Sequence, residues 1–214
     1  ISDAQRRPVP DAGWVGTIHH GLPERLLTPR AVKPEYLAFL GRISPEKALD
    51  RAIRIATGSG VPLKIAAKID RVDEEYFETE IRPLLQLPGI EYIGEISDRE
   101  KSAFLSGAIG LVMPIDWPEP FGLVMIEAMA CGTPVIAYPG GAVPEVVEDG
   151  LTGFIVNDEA SAIAAVARLP SLSRTAVRRR FEERFTARRM AQDYLDIYHG
   201  LVARAKPQLR LVTS

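Results

Sequence analysis

The chain has 214 residues, and 26 Lys and Arg residues against 28 Asp and Glu residues give it a formal net charge of −2 at pH 7. This near-zero charge argues against a protein devoted to non-specific nucleic-acid binding. The single cysteine, Cys131, excludes an internal disulfide framework and a multi-cysteine zinc site. No apolar run reaches the roughly 18 residues that a membrane helix needs, and the first residues lack the apolar core of a signal peptide. We expect a soluble, cytoplasmic protein.

Short runs of β-branched and aromatic residues alternate with helical patterns along the chain. The runs are bounded by Gly, Pro or charged residues and predict strands at 14–18, 36–40, 61–67, 90–93, 109–113, 134–137 and 154–156. Apolar spacing predicts helices at 46–57, 73–85, 98–105, 122–130, 160–169, and from 172 to about 204 with a break near 185–186. The alternation indicates an α/β fold, a Rossmann-like parallel sheet with helices on both faces and a helical C-terminal tail. Ligands of such sheets bind beyond the carboxyl ends of the strands.

Charge is distributed unevenly between the two parts of the chain. Residues 161–214 carry 11 Lys and Arg against 4 Asp and Glu, a net charge of +7, whereas residues 1–160 carry a net charge of −9. Six of the basic residues are Arg178, Arg179, Arg180, Arg184, Arg188 and Arg189. The cluster is either a solvated helical face or a surface that meets anionic lipid headgroups or an acidic partner domain.

The loop at 41–47 follows a predicted strand and places two cations at the start of a helix. Ser44, followed by proline, is a good N-cap, so Lys47 falls in the first helical turn and Arg42 just before it. Cations at a helix N-terminus are unfavourable by about 0.3–1 kcal/mol unless an anion binds there, and two cations suit a diphosphate. The alternative is that both side chains face water or pair with Glu46 and Asp50. The loop lacks the Walker pattern, which argues against a kinase-type or ATPase-type phosphate site.

The loop and helix at 114–134 carry two carboxylates eight residues apart. Glu119 stands between two prolines, which hold it on a stiff, extended loop. The helix opens near Gly122, so the N–H groups of Phe121, Gly122 and Leu123 are free to bind an anion or a sugar oxygen. Glu127 lies inside an apolar helix, where it needs either a salt bridge or a ligand diol.

These segments resemble a known family. The spacing Glu119-x7-Glu127 within residues 118–137 resembles the signature of retaining nucleotide-sugar glycosyltransferases of the GT-B fold, the E-x7-E group of group 1 or family 4 type. Residues 41–47 are similar to the donor-diphosphate loop of that family, and residues 140–156 match the stretch that follows. The three motifs occur in the family's order and cover about residues 14–165.

The resemblance implies a role for each residue. Arg42 and Lys47 would grip the donor diphosphate and, with Glu119 contacting the transferred sugar, form the catalytic set. Glu127 would hold the ribose hydroxyls. The complete set of implied donor-binding residues is Gly41, Arg42, Lys47, Glu95, Ile96, Glu119, Phe121, Gly122, Leu123 and Glu127. The resemblance implies no cofactor and no metal, and it does not make Glu119 a nucleophile.

The implied activity is transfer of a hexose, with retention, from a UDP-linked or GDP-linked sugar to an unidentified acceptor, as in polysaccharide biosynthesis. Two alternatives are a nucleotide-sugar epimerase or phosphorylase of the same fold and a non-catalytic nucleotide-binding or scaffold module. Three positions depart from the family pattern. His20 replaces an asparagine, Ala48 replaces a frequent glycine, and Trp117 precedes the motif, where it either stacks on a sugar or packs.

The resemblance also implies a domain organisation. Residues 1–30 would be a linker and the remnant of an N-terminal acceptor domain, 31–170 the donor-binding domain, and 171–214 helices that pack back on the missing domain. We expect this chain alone to bind donor weakly and to be inactive. The full-length protein would be cytoplasmic or bound peripherally to the inner face of the membrane, and no nucleic acid is expected as a partner.

Overall fold

A parallel sheet forms the centre of the molecule. The computed structural model describes residues 1–205, and in it the strands pair in the order β3-β2-β1-β4-β5-β6, all parallel. The strands are β1 (Tyr36–Ile43), β2 (Leu63–Ile69), β3 (Ile90–Gly94), β4 (Ala108–Met113), β5 (Val135–Ala137) and β6 (Gly153–Ile155). This order confirms the Rossmann-like α/β prediction. It places the point where the chain reverses direction across the sheet between β1 and β4.

Helices cover both faces of the sheet. The α-helices are α1 (Leu49–Ser59), α2 (Glu74–Tyr76), α3 (Asp98–Ser106), α4 (Leu123–Ala130), α5 (Val143–Val146), α6 (Glu159–Arg168), α7 (Arg174–Arg184) and α8 (Ala187–Ala205). Short 3₁₀ turns lie at Ala4–Arg6, Pro45–Lys47, Arg71–Asp73, Leu84–Gln86 and Leu169–Ser171, and a π-helical turn lies at Phe77–Ile81. Residues 206–214, the end of the predicted C-terminal segment, lie outside the described residues.

Two apolar clusters pack against the sheet. One is built around α3, α4 and α7 and contains Leu105, Ile126 and Phe181, all of them fully buried. The other is built around α1 and α6 and contains Ile53 and Ala162, which are also fully buried. Because successive residues of a strand point to opposite faces, the apolar runs of β1, β4 and β5 contribute to both clusters.

Three predicted elements differ from the structure. Residues 14–18 form no strand; they run beside α8, where Gly16 packs on Ile197, and their β-branched composition finds no sheet edge to pair with. The 73–85 helix is divided into short turns, because Pro83 has no N–H with which to continue it. Lys47 lies in a separate 3₁₀ turn, since Ala48 takes a left-handed conformation with φ +51° before α1 begins.

The basic C-terminal helices are held by tertiary contacts. Arg178 donates to the backbone carbonyls of Glu24, Leu27 and Ala130 at 2.5–2.9 Å. Other guanidinium groups of α7 and α8 bind backbone carbonyls or carboxylates, namely those of Arg174, Arg180, Arg184 and Arg189. Only Arg179 and Arg188 of the predicted cluster are mostly exposed, with 67% and 85% of their side chains accessible. The cluster as a whole is therefore not a solvated face, because most of it is used to hold the fold together.

Candidate functional site

Two adjoining cavities open at the carboxyl ends of the strands, beside the reversal point between β1 and β4. The Glu127 cavity has a volume of about 320 Å³ and is lined by Leu40, Gly41, Ala66, Ala67, Lys68, Glu95, Ile96, Lys101, Leu123, Val124 and Glu127. The Glu119 cavity has a volume of about 310 Å³ and is lined by Ile1, His20, Lys47, Glu119, Pro120, Phe121, Gly122, Leu123 and Val124. The first turn of α4 borders both cavities. Of the ten residues predicted to bind a donor, all but Arg42 line one of the two.

Glu119 is held with its carboxylate against Lys47. Only 8% of Glu119 is exposed, and its Oε2 accepts hydrogen bonds from Lys47 Nζ at 2.6 Å and Trp117 Nε1 at 3.1 Å. The Lys47 ammonium also lies 5.3 Å from the centre of the Trp117 ring. Trp117 therefore packs against this ion pair, the second of the two predictions made for it. The half-buried lysine and the buried carboxylate place a cation and a hydrogen-bond acceptor at one end of the cleft.

The backbone at the start of α4 presents free donors to the same cavity. Gly122 caps the helix with φ +81°, and a Cβ there would lie 2.5 Å from Met125 Cε, so the position favours glycine. Within residues 1–205, the N–H groups of Phe121, Gly122 and Leu123 donate to no protein acceptor. The helix N-terminus thus adds partial positive charge beside Lys47, an arrangement that suits an anionic ligand.

Arg42 lies at the rim, held by three carboxylates. Its guanidinium lies 2.5 Å from Glu46, 3.5 Å from Asp70 and 3.8 Å from Asp73. The hydrogen bond that Arg42 donates to Glu46 is the main reason why the pKa of Arg42 is raised above its ordinary value. Pairing with Glu46 was one of the two expectations for this residue. With 44% of its side chain exposed, Arg42 faces these acids and not either cavity.

Glu127 forms a salt bridge with a lysine that the sequence did not single out. Lys101 Nζ lies 2.9 Å from Glu127 Oε1 and 3.0 Å from Asp98 Oδ1, and only 13% of the Glu127 side chain is exposed. Burial alone would lower the pKa of Lys101, but the hydrogen bonds and negative charges of Glu127 and Asp98 raise it. The salt-bridge explanation of Glu127 is therefore correct, and the carboxylate still lines the cavity. The only sequence signal for Lys101 is its place in the first turn of the helix after Ile96.

The two adjacent histidines occupy different environments. His20 lines the Glu119 cavity and meets Phe121 edge to face, with ring centroids 5.1 Å apart. Burial lowers the pKa of His20. His19 points away, and its Nε2 lies 3.1 Å from Glu145 Oε2. His20 therefore lies at the site, and its place there was not predicted.

Comparison with known proteins identifies the family. Residues 28–187 match the family model described as "Glycosyl transferases group 1". The chain belongs to this family. It is 29% identical over 187 residues to the alpha-maltose-1-phosphate synthase of Mycolicibacterium smegmatis, covering 78% of this chain and 48% of that protein. It is 33% identical over 187 residues to the D-inositol 3-phosphate glycosyltransferase of Saccharomonospora viridis, covering 78% and 43%.

Solved structures agree with this assignment. AviGT4, a glycosyltransferase involved in avilamycin A biosynthesis, superimposes with a TM-score of 0.82 at 26% identity, covering 95% of this chain and 63% of that one. Anabaena HepE in complex with UDP and glucose superimposes with a TM-score of 0.74 at 18% identity, covering 86% and 57%, and supports the fold alone. The sheet is therefore the Rossmann-like unit of a GT-B glycosyltransferase. The chain spans about half the length of the curated relatives it matches.

Across residues 1–205, no helix has the length and hydropathy required to cross a bilayer. The same residues contain no group of three or more His, Cys, Asp or Glu side chains placed to bind a metal ion.

Proposed function

We propose that the protein is a retaining, nucleotide-sugar-dependent glycosyltransferase of the E-x7-E type, and that this chain binds the donor. The observation that carries the proposal is the placing of Lys47, Glu119 and the free N–H groups of α4 in one cavity, directly beside the cavity that contains Glu127. A nucleoside diphosphate sugar has a matching shape, because its anionic diphosphate lies between a diol-bearing nucleoside and a hydroxyl-rich sugar.

The proposed binding mode assigns each end of the donor to one cavity. The ribose lies in the Glu127 cavity, where the carboxylate accepts hydrogen bonds from two hydroxyls, and the base lies near Glu95 and Ile96. The diphosphate lies at the start of α4 beside Lys47, and the sugar lies against Glu119. We favour UDP as the nucleotide, because HepE, which shares the fold, is described in complex with UDP and glucose. A hexose is proposed for the same reason.

The cationic groups would promote departure of the nucleotide. As the bond between sugar and diphosphate breaks, negative charge grows on the terminal phosphate. Lys47 and the α4 N–H groups would stabilise that charge. Arg42 would join them by exchanging one of its three carboxylate partners for a phosphate oxygen.

We also propose that an acceptor-binding domain completes the cleft. The support is that the curated relatives are about twice as long as the matched part of this chain. The acceptor and the site of transfer would then lie between the two domains. In that arrangement the chain alone binds the donor but has no acceptor site, so it is expected to transfer no sugar.

Calorimetric titration of the chain with UDP, GDP and ADP, and with the nucleotide sugar in which each is linked to glucose, tests the proposal. We expect UDP to bind and Glu127→Gln and Lys47→Ala to weaken that binding by about tenfold each. Exposed residues supply matched controls. Glu78→Gln, in an i,i+4 pair with Arg82, and Lys33→Ala, which pairs with Glu35, should bind as the parent does. If no nucleotide binds, or the site variants bind like the controls, the donor-site assignment is wrong.

A further inference from the structure

The first residues of the chain lie against the loop that carries Glu119. Ile1 lines the Glu119 cavity, and Ser2, only 1% exposed, donates a hydrogen bond from its Oγ to the carbonyl of Pro120 at 2.6 Å. The same Oγ accepts a hydrogen bond from the Gln5 N–H at 3.1 Å. Ser2 therefore connects the segment Ile1–Gln5 to the residue next to Glu119.

Glu145 holds this segment in place. Its Oε2 accepts a hydrogen bond from the Asp3 N–H at 2.8 Å, and its Oε1 accepts one from the Ala4 N–H at 2.7 Å. His19 Nε2 lies 3.1 Å from Oε2 and adds a third partner. Only 16% of the Glu145 side chain is exposed. Burial alone would raise the pKa of Glu145, but these hydrogen bonds hold that pKa below its ordinary value.

Glu145 is itself joined to the backbone of Glu119 by a second route. Its helix, α5, begins directly after Ala142, whose N–H donates to the Glu119 carbonyl at 2.8 Å. The contact at the neighbouring Gly141 is so close that a Cβ there would lie 2.1 Å from the same carbonyl oxygen. The Glu145 carbonyl accepts a hydrogen bond from Arg184 on α7, which ties α5 to the rest of the fold.

We propose that Glu145 is a positioning residue for the sugar-binding end of the donor site. It lines neither cavity, so its carboxylate acts on the Pro120 carbonyl through the N-terminal segment and Ser2, while the backbone contact from Ala142 supports the neighbouring Glu119 carbonyl. In this way it keeps the Glu119 carboxylate beside Lys47. Neither route passes through Glu127 or Lys101. Loss of Glu145 should therefore disturb recognition of the sugar and leave recognition of the nucleoside intact. This inference rests on the proposed function.

Glu148 provides a matched control, because it is a second glutamate tied to α7 but not to the N-terminal segment. Its Oε1 accepts hydrogen bonds from Arg180 and Arg184. Affinities for UDP and UDP-glucose are measured by calorimetry for the parent, Glu145→Ala, Glu145→Gln and Glu148→Ala. In Glu145→Ala the affinity for UDP-glucose relative to that for UDP should fall about tenfold, which is the effect of the sugar losing its hydrogen bond to the charged Glu119. The affinity for UDP itself should stay within about twofold of the parent.

The remaining variants separate positioning from a general loss of stability. Glu145→Gln keeps one acceptor oxygen and should give a smaller fall in the ratio. Glu148→Ala should lower the melting temperature and leave the ratio unchanged. If Glu145→Ala weakens UDP and UDP-glucose equally, or if Glu148→Ala changes the ratio as much, Glu145 has no positioning role.

Hydrogen exchange tests the coupling without any ligand. Glu145→Ala should speed exchange of the Glu119 and Ala142 amides, which donate to the carbonyls of Trp117 and Glu119, at least fivefold, and Glu148→Ala should not. Unchanged exchange in Glu145→Ala refutes the inference even if nucleotides bind. If the parent chain binds neither UDP nor UDP-glucose, the proposed function fails, and the exchange result still decides whether Glu145 controls the Glu119 loop.

Discussion

Arg178 offers a sensitive test of how the basic helices stabilise the fold. Its Nη1 donates to the carbonyls of Leu27 and Ala130 at 2.8 and 2.5 Å, and its Nη2 donates to the carbonyl of Glu24 at 2.9 Å. Ala130 is the last residue of α4, so its carbonyl has no partner within the helix and gains from a nearby cation. Only 15% of the Arg178 side chain is exposed. Arg178→Ala removes these three hydrogen bonds at once, together with the exposed one that Nε donates to Glu182.

The expected loss of stability follows from the number and burial of these bonds. A hydrogen bond to a charged group contributes about 1.5–3 kcal/mol, and the contributions of three bonds from one side chain are not additive. Water will replace part of the interaction at the more exposed carbonyls. We expect Arg178→Ala to lower the free energy of unfolding by about 3–4 kcal/mol, against a total of about 5–15 kcal/mol for an ordinary domain.

The adjacent arginine is the control. Arg179 is 67% exposed, and its one ion pair, with Glu183, has an N–O distance of 3.8 Å, so Arg179→Ala should change stability by no more than about 0.5 kcal/mol. Arg178→Lys keeps the charge but cannot reach three carbonyls, and it should recover less than half of the loss. Urea unfolding followed by circular dichroism measures all three variants, with unchanged m-values required. If Arg178→Ala and Arg179→Ala differ by less than about 1 kcal/mol, the structural role assigned to Arg178 is wrong.

Three more predictions address the sheet, the buried thiol and the response to acid. In Gly153→Ala the new Cβ would lie 2.0 Å from the Val135 carbonyl oxygen, so we expect a loss of at least about 3 kcal/mol in thermal unfolding; Gly13→Ala, with nothing within 4 Å, should melt like the parent. Burial raises the pKa of Cys131 to about 11, so the thiol should not react with Ellman's reagent at pH 8 until urea unfolds the chain; rapid reaction of the native protein would contradict this. Burial alone would raise the pKa of Glu148, but hydrogen bonds from two arginines lower it. The charge of Glu148 therefore stabilises the fold fully above the unfolded-state pKa of about 4.5. This stabilisation is lost as the pH falls through the lowered pKa of the folded state. Glu148→Gln should therefore be less stable than the parent at pH 7 by about 1 kcal/mol and equal to it at low pH, and a difference that persists at low pH would show that the charge is not the cause.

The sheet could be predicted because its strands are buried on both faces. Such strands appear in the sequence as short apolar runs, and the Gly and Pro residues between them mark the turns. The strand predicted at 14–18 was wrong, because that segment has the composition of a strand but packs beside α8. The left-handed conformation at Ala48 was also not predictable, because alanine rarely adopts it without support from the surrounding fold.

The sequence could place Lys47 and Glu119 at the same edge of the sheet, because both follow parallel strands and such strands end at one edge. The ion pair between them was not predicted. The Lys101–Glu127 and Glu145–Ala4 contacts join residues separated by 26 and 141 positions. Such contacts depend on how helices pack on the sheet and on the path of the N-terminal segment, neither of which leaves a local pattern in the sequence.

The segment before β1 is hydrogen-bonded to the C-terminal helices, and this limits how the protein can be truncated or combined with a relative. Leu22 exchanges backbone hydrogen bonds with Phe185 and Ala187, and Arg189 donates to the carbonyl of His19. A truncation near residue 170 would therefore free the segment that precedes β1 as well as remove two helices. A chimaera with a relative should take both ends from the same parent.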